Sequence, residues 1–70
     1  MKIKFRSLEK GNDSRTAWNE EVDTEACRKV SFVKGESTPM EYAQTLIDYF
    51  NNTLHEGEKE RELLGATEII

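Results

Sequence analysis

The chain is short of nearly everything that site chemistry is built from. Its 70 residues include one cysteine, one histidine and one proline, with four scattered glycines. A lone Cys27 excludes an internal disulfide and fits a reducing compartment, since small secreted domains usually carry paired cysteines. His55 has no second His or Cys with which to form a transition-metal set. Gly11, Gly35, Gly57 and Gly65 stand singly, so no phosphate-cradling loop is written. The N-terminus MKIKFRSLEKG lacks the apolar core of a signal peptide, and no apolar run approaches the roughly 20 residues needed to span a membrane. The Asn-x-Ser/Thr triplets at 12–14 and 51–53 are chance matches without a secretion signal. These absences point to a cytoplasmic location, in a bacterium or an infected host. They also point away from catalysis: no catalytic residue, no cofactor and no metal is assigned.

What is present is charge, unevenly spread. The net charge of −4 divides into +3 over residues 1–10, −1 over 11–34 and −6 over 35–70. An acidic total argues against a general nucleic-acid binder and leaves room for a local basic face.

One stretch organises the rest. Residues 38–57, TPMEYAQTLIDYFNNTLHEG, read as an amphipathic helix over 38–55. Met40, Ala43, Leu46, Ile47, Phe50 and Leu54 form the apolar stripe. Thr38 is its N-cap, Pro39 its first residue, and Thr38-x-x-Glu41 a capping box. Asn51 and Asn52 weaken the last turn, and Gly57 offers a left-handed C′. The end falls between Asn52 and Glu56.

Before the helix the pattern is β. Residues 1–6 alternate Met1, Ile3 and Phe5 with Lys2, Lys4 and Arg6, as a strand with one apolar and one basic face does. A turn region follows at 7–14, its tip at 11–13, with Leu8 able to point into the core. Residues 16–22 read as a second strand forming a hairpin with the first; a helix over 19–28 is the rival. Residues 28–34 read as a third strand, with Val30 and Phe32 facing the helix. After Gly57, either a short helix over 58–64 or an extended segment over 62–69 fits, and the extended one is preferred, laying Leu63 and Ile69 on the core. The fold class is therefore α+β: one domain, a small antiparallel sheet of about three strands with one helix on one face. At 70 residues its core is marginal, burying about 60% of the unfolded surface.

Each feature has a plain and a sharp reading. His55 reads first as an exposed last-turn residue, and Cys27 as a small hydrophobe; a nucleophilic pair would need tertiary contact. The cluster His55, Glu56, Glu58, Glu60, Glu62 reads as a solvated charge run rather than a metal site, and its four glutamates, if extended, as an acidic decoy of phosphate spacing. Tyr42 and Tyr49 read as sheet-edge cover with wet hydroxyls or as a contact patch. Trp18 reads as a core anchor or an interface hot spot. These three are the protein-contact candidates, and a non-enzymatic protein-interaction module, partnered by another protein or by itself, is the leading function. The alternative is nucleic-acid binding through Lys2, Lys4, Arg6 and Lys29 on the open sheet face. It is disfavoured by net charge and by the want of stacking aromatics there.

The run Tyr42-Ala43-x-x-Leu46-Ile47-x-Tyr49-Phe50-Asn51-x-Thr53-Leu54-x-x-Gly57-Glu58-x-x-Arg61-x-Leu63-Leu64 resembles small uncharacterised accessory proteins of tailed bacteriophages and prophages. The resemblance covers roughly the C-terminal half and contains no catalytic motif. It implies an accessory protein of a bacterial cytoplasm, with Gly57-Glu58-x-x-Arg61 as a turn bearing a structural ion pair, and it transfers no activity.

Overall fold

A computed structural model describes residues 1–27 and 38–69. The strand read at 28–34, with Val30, Phe32 and Lys29, lies outside the described residues. Three strands form one antiparallel sheet: β1 (Lys2–Glu9), β2 (Trp18–Asp23) and β3 (Arg61–Ile69), in the order β2-β1-β3. A single helix, α1 (Pro39–Asn52), packs on one face. The fold is thus α+β with an open antiparallel sheet.

β1 is the central strand and shows the cleanest alternation. Ile3 and Phe5 are buried against Ala43 and Ile47 of α1, while Lys2, Lys4 and Arg6 are exposed on the other face. Leu8 is buried too, but stands outside the cluster that packs on the helix. The β1–β2 connection is built by Asp13: its carbonyl accepts from Thr16 N–H (2.9 Å) and its carboxylate from Arg15 N–H (2.9 Å), closing a single 3-10 turn over Ser14–Thr16. That turn takes Thr16, so β2 begins at Trp18 rather than at 16. No helix forms over 19–27; after β2 the chain closes a tight turn on Asp23, whose carbonyl accepts from Ala26 and Cys27.

The start of α1 is as the sequence spells it. Thr38 is extended, its Oγ1 accepts from Glu41 N–H at 3.3 Å, and Glu41 Oε1 receives the Thr38 hydroxyl at 3.3 Å. The end comes three residues before 55, at Asn52, with Thr53 as C-cap. Gly57 does have a positive φ of 88°, but within a turn closed by Glu58 N–H on His55 C=O, not as the helix terminator. The reason is Asn51. Its carboxamide accepts from Arg61 N–H (2.8 Å) and donates to Arg61 C=O (3.0 Å), so the chain is already committed to its return into β3. The buried stripe of the helix is correspondingly narrower than the apolar spacing suggests. Ala43 and Ile47 are buried, Leu46 and Tyr42 pack partly against them, Met40 is 45% exposed, and Phe50 is half-buried outside the core cluster.

β3 is the extended form of the C-terminal segment, interrupted by one bulge. Arg6 faces Gly65 and Ser7 faces Leu63, so Leu64 has no partner on β1 and is exposed. One extra residue inverts the in–out phase of everything beyond it. Leu63 and Ala66 therefore both pack on the core, three apart, while Ile69 sits opposite Lys2 and is not part of that packing. The expectation that Leu63 and Ile69 share the core face assumed an unbroken strand, and the bulge corrects it.

Candidate functional site

Directly paired residues share a sheet face. The register puts Trp18, Glu20 and Val22 of β2 on the same face as Ser7, Phe5 and Ile3, the face that carries α1. The helix contacts β3 and β1 but not β2. A groove of about 490 Å³ therefore runs between β2 and the helix, with Phe5, Val22, Leu46, Ile47 and Phe50 as its apolar walls. Glu20, Glu21 and Asp23 border it from the strand, and among the described residues Arg61 is its one cation.

Arg61 is the organising residue of this region. It starts on β3 yet its guanidinium lies over the Trp18 ring on β2, 3.7 Å from the centroid, with the Phe50 ring at 5.0 Å. Nη1 donates to Glu20 Oε1 at 3.2 Å, and Trp18 Nε1 donates to the same oxygen at 3.4 Å. Arg61 and Trp18 belong to strands on either side of β1, so their two long side chains meet over the central strand. The residue of β1 that pairs with Trp18 is Ser7, fully buried. A small side chain at that position leaves the crossing open. Stacking on Trp18, at this burial, is a cation–π contact of about 1–2 kcal/mol. The Arg61 side chain is only 9% exposed, and Nε and Nη2 are buried without hydrogen-bond partners, as is Ser7 Oγ. Each unpaired buried donor costs about 1–3 kcal/mol, more when charged.

The three contact candidates are placed differently. Trp18 is 40% exposed and holds Arg61; Tyr49 is 41% exposed and lines the groove. Tyr42 is half-buried and packs against the core. Tyr49 thus lines the groove, Trp18 is linked to it through Arg61, and Tyr42 belongs to the core packing. Sequence reasoning missed Glu20 and the stacking on Trp18, and named Arg61 only as the ion-pair partner of a turn. The pair forms across the sheet, 41 residues apart, and the ion pair implied by the phage resemblance is with Glu20 rather than Glu58, whose carboxylate instead accepts from His55 N–H at 2.7 Å.

The basic face is weaker than its spacing suggests. Lys2, Lys4 and Arg6 are exposed together, but Asp23 pairs with Lys2 and Glu21 with Lys4 across β2. Opposite charges directly across a strand pair offset one another. Cys27 is half-buried at the groove and His55 is exposed in the 55–58 turn, and no hydrogen bond joins them. Among the described residues no three His, Cys, Asp or Glu side chains converge as metal ligands, and no helix is long and apolar enough to cross a membrane. Asp13 is the one described carboxyl held below its ordinary range, by the Arg15 guanidinium at 3.1 Å and then by the Arg15 N–H. Comparison of the chain with protein-family models, with curated proteins and with solved structures finds no match.

Proposed function

We propose that the chain is a non-enzymatic protein-interaction module that takes a segment of a partner protein into the groove between β2 and α1. The resemblance of its C-terminal half to phage accessory proteins suggests a bacterial cytoplasm as the setting. The observation that carries the reading is the groove itself: apolar walls on the helix face, lined by the exposed Tyr49 and by Arg61, on which the exposed Trp18 stacks. Aromatics of this kind, with Arg, are the residues that interface cores favour. Nucleic-acid binding through Lys2, Lys4 and Arg6 is the weaker reading, because the register sets Asp23 and Glu21 beside that row.

Sedimentation at micromolar concentration, paired with pull-down from bacterial lysate, tests the module. The wild type should self-associate or retain a partner, and the Trp18→Ala/Tyr49→Ala double variant should lose that association while Lys10→Ala keeps it. A strict monomer retaining nothing, or a partner held equally well by the double variant, overturns the reading.

A further inference from the structure

We propose that the Nε–Nη2 edge of Arg61 receives a single carboxylate, carried on an extended protein segment whose neighbouring side chains are apolar. This rests on the interaction-module reading and adds the chemistry of the partner. A guanidinium has two edges with paired donors, Nε–Nη2 and Nη1–Nη2, and here they are not equivalent. Nη1 is engaged by Glu20, while Nε and Nη2 are both buried and unpaired. Those two nitrogens are the pair whose N–H bonds run parallel along one side of the group. Such a fork matches the two oxygens of a carboxylate, giving two charge-assisted hydrogen bonds at once.

The fork is held ready. Trp18 stacks on one face of the guanidinium, Glu20 fixes its far end, and Asn51 grips the Arg61 backbone through both its N–H and its C=O. Orientation is therefore set before any partner arrives, which lowers the entropy of binding. Phe50, at 5.0 Å against 3.7 Å for Trp18, is the looser cover, and its ring is the part that yields to an entering group.

The surroundings select the rest of the partner. Phe5, Val22, Leu46 and Ile47 present apolar walls, so the flanking side chains are apolar. Glu20 stands on the groove's face and already offsets part of the Arg61 charge, while Glu21 and Asp23 alternate to the face of Lys2 and Lys4, so the site suits one further charge-assisted pair rather than a run of acids or a doubly charged phosphate. One singly charged carboxylate is what the arrangement accommodates.

The test uses the full chain labelled with nitrogen-15. The Arg61 Nε–H signal is assigned by its loss in Arg61→Lys. A blocked tetrapeptide leucine-glutamate-leucine-leucine, titrated into the wild type, should shift that signal downfield and saturably. It should bind at least about tenfold more tightly than its glutamine counterpart, as charge-assisted hydrogen bonds require. Hexaglutamate and inorganic phosphate should leave the signal in place. Arg61→Lys should bind both tetrapeptides as weakly as the wild type binds the glutamine form. Equal affinity for the two tetrapeptides, a stronger response to hexaglutamate or phosphate, or no response of the Nε–H signal overturns the proposal. The peptide comparison on the wild type stands even if Arg61→Lys does not fold. A protein partner lost in Trp18→Ala/Tyr49→Ala, with the Arg61 signal unmoved throughout, leaves the interaction module standing and removes the carboxylate site alone.

Discussion

On the β3 flank of the sheet the helix lies directly on the strand, and the side chains between them are ordinary core: Ala43 and Ile47 against Ile3 and Phe5, with Leu63 and Ala66 alongside. On the β2 flank the same face of the sheet carries Trp18, Glu20 and Val22, and no helix contact covers it. One long side chain, Arg61, bridges the two flanks. The covered flank holds the fold by burial alone. The uncovered flank is organised by a charge, an aromatic ring and a carboxylate, the mixture that interfaces use and cores avoid. The difference separates, among the described residues, a flank packed as core from one held by polar and aromatic contacts.

That contrast can be broken where it is strongest. Ile47→Ala deletes a buried side chain from the covered flank and should cost about 2–5 kcal/mol, a large share of the stability a domain of this size has. Val22→Ala, the equivalent deletion beside the groove, should cost no more than about 1.5 kcal/mol, since Val22 is only partly buried. Urea melts of the two variants measure the gap; equal shifts would mean that both flanks are core.

The link between the flanks comes next. Asn51→Ala removes both hydrogen bonds to the Arg61 backbone and should cost about 2 kcal/mol at roughly 1 kcal/mol per bond. The same melts measure it. Trp18 is the single tryptophan, and its emission should shift with the loss if Arg61 leaves its ring.

A finer probe is the crossing point. Ser7→Ala deletes a buried hydroxyl that has no partner and should stabilise the fold by up to about 1 kcal/mol. Ser7→Leu fills the space over which Arg61 crosses and should cost about 1–3 kcal/mol by overpacking. Thermal melts that rank the two the same way would show that Arg61 does not pass over Ser7.

The smallest effect lies away from both flanks. The Asp13 carboxyl is held below its ordinary range in the folded chain by Arg15. The ion pair therefore adds stability above the ordinary carboxylate pKa, and that stability is lost as pH falls through the lowered value. Asp13→Asn keeps the side-chain oxygen that accepts from Arg15 N–H but not the charge. It should be slightly less stable than the wild type at neutral pH, and melts taken at successively lower pH should show the difference closing.

The parts of this fold that could be read from the chain are those decided by neighbours in sequence. Thr38, Pro39 and Glu41 lie within four positions and specify a helix start whatever surrounds them. Ile3 and Phe5, alternating with Lys2, Lys4 and Arg6, specify a half-buried strand. The readings that needed narrowing or correction turn on a partner far away. The helix end, read as falling between Asn52 and Glu56, is Asn52, and what narrows that range is the grip of Asn51 on Arg61, ten residues on. Ile69 leaves the core face because a single unpaired Leu64 inverts the phase of the strand. Phe50 sits at the groove rather than in the core because the helix lies over β3 and β1 and not across the whole sheet. Arg61 itself looked like one charge in a solvated run, since neither Trp18 nor Glu20 is near it in sequence. Strand order, which no local pattern encodes, brings them together.

The pairing of β1 with β3 also has a consequence in time. Lys2 faces Ile69 and Arg6 faces Gly65, contacts that close loops of about sixty residues. The β1–β2 hairpin, in which Ser7 faces Trp18, closes over about ten. Loop closure must be completed before distant contacts can repay it, so the hairpin forms early and the other edge of the sheet late. Until β3 arrives, Ile3 and Phe5 have only part of their cover and the helix lacks the strand on which it mainly rests. By sequence separation alone, the capture of β3 by β1 is the costlier closure of the two.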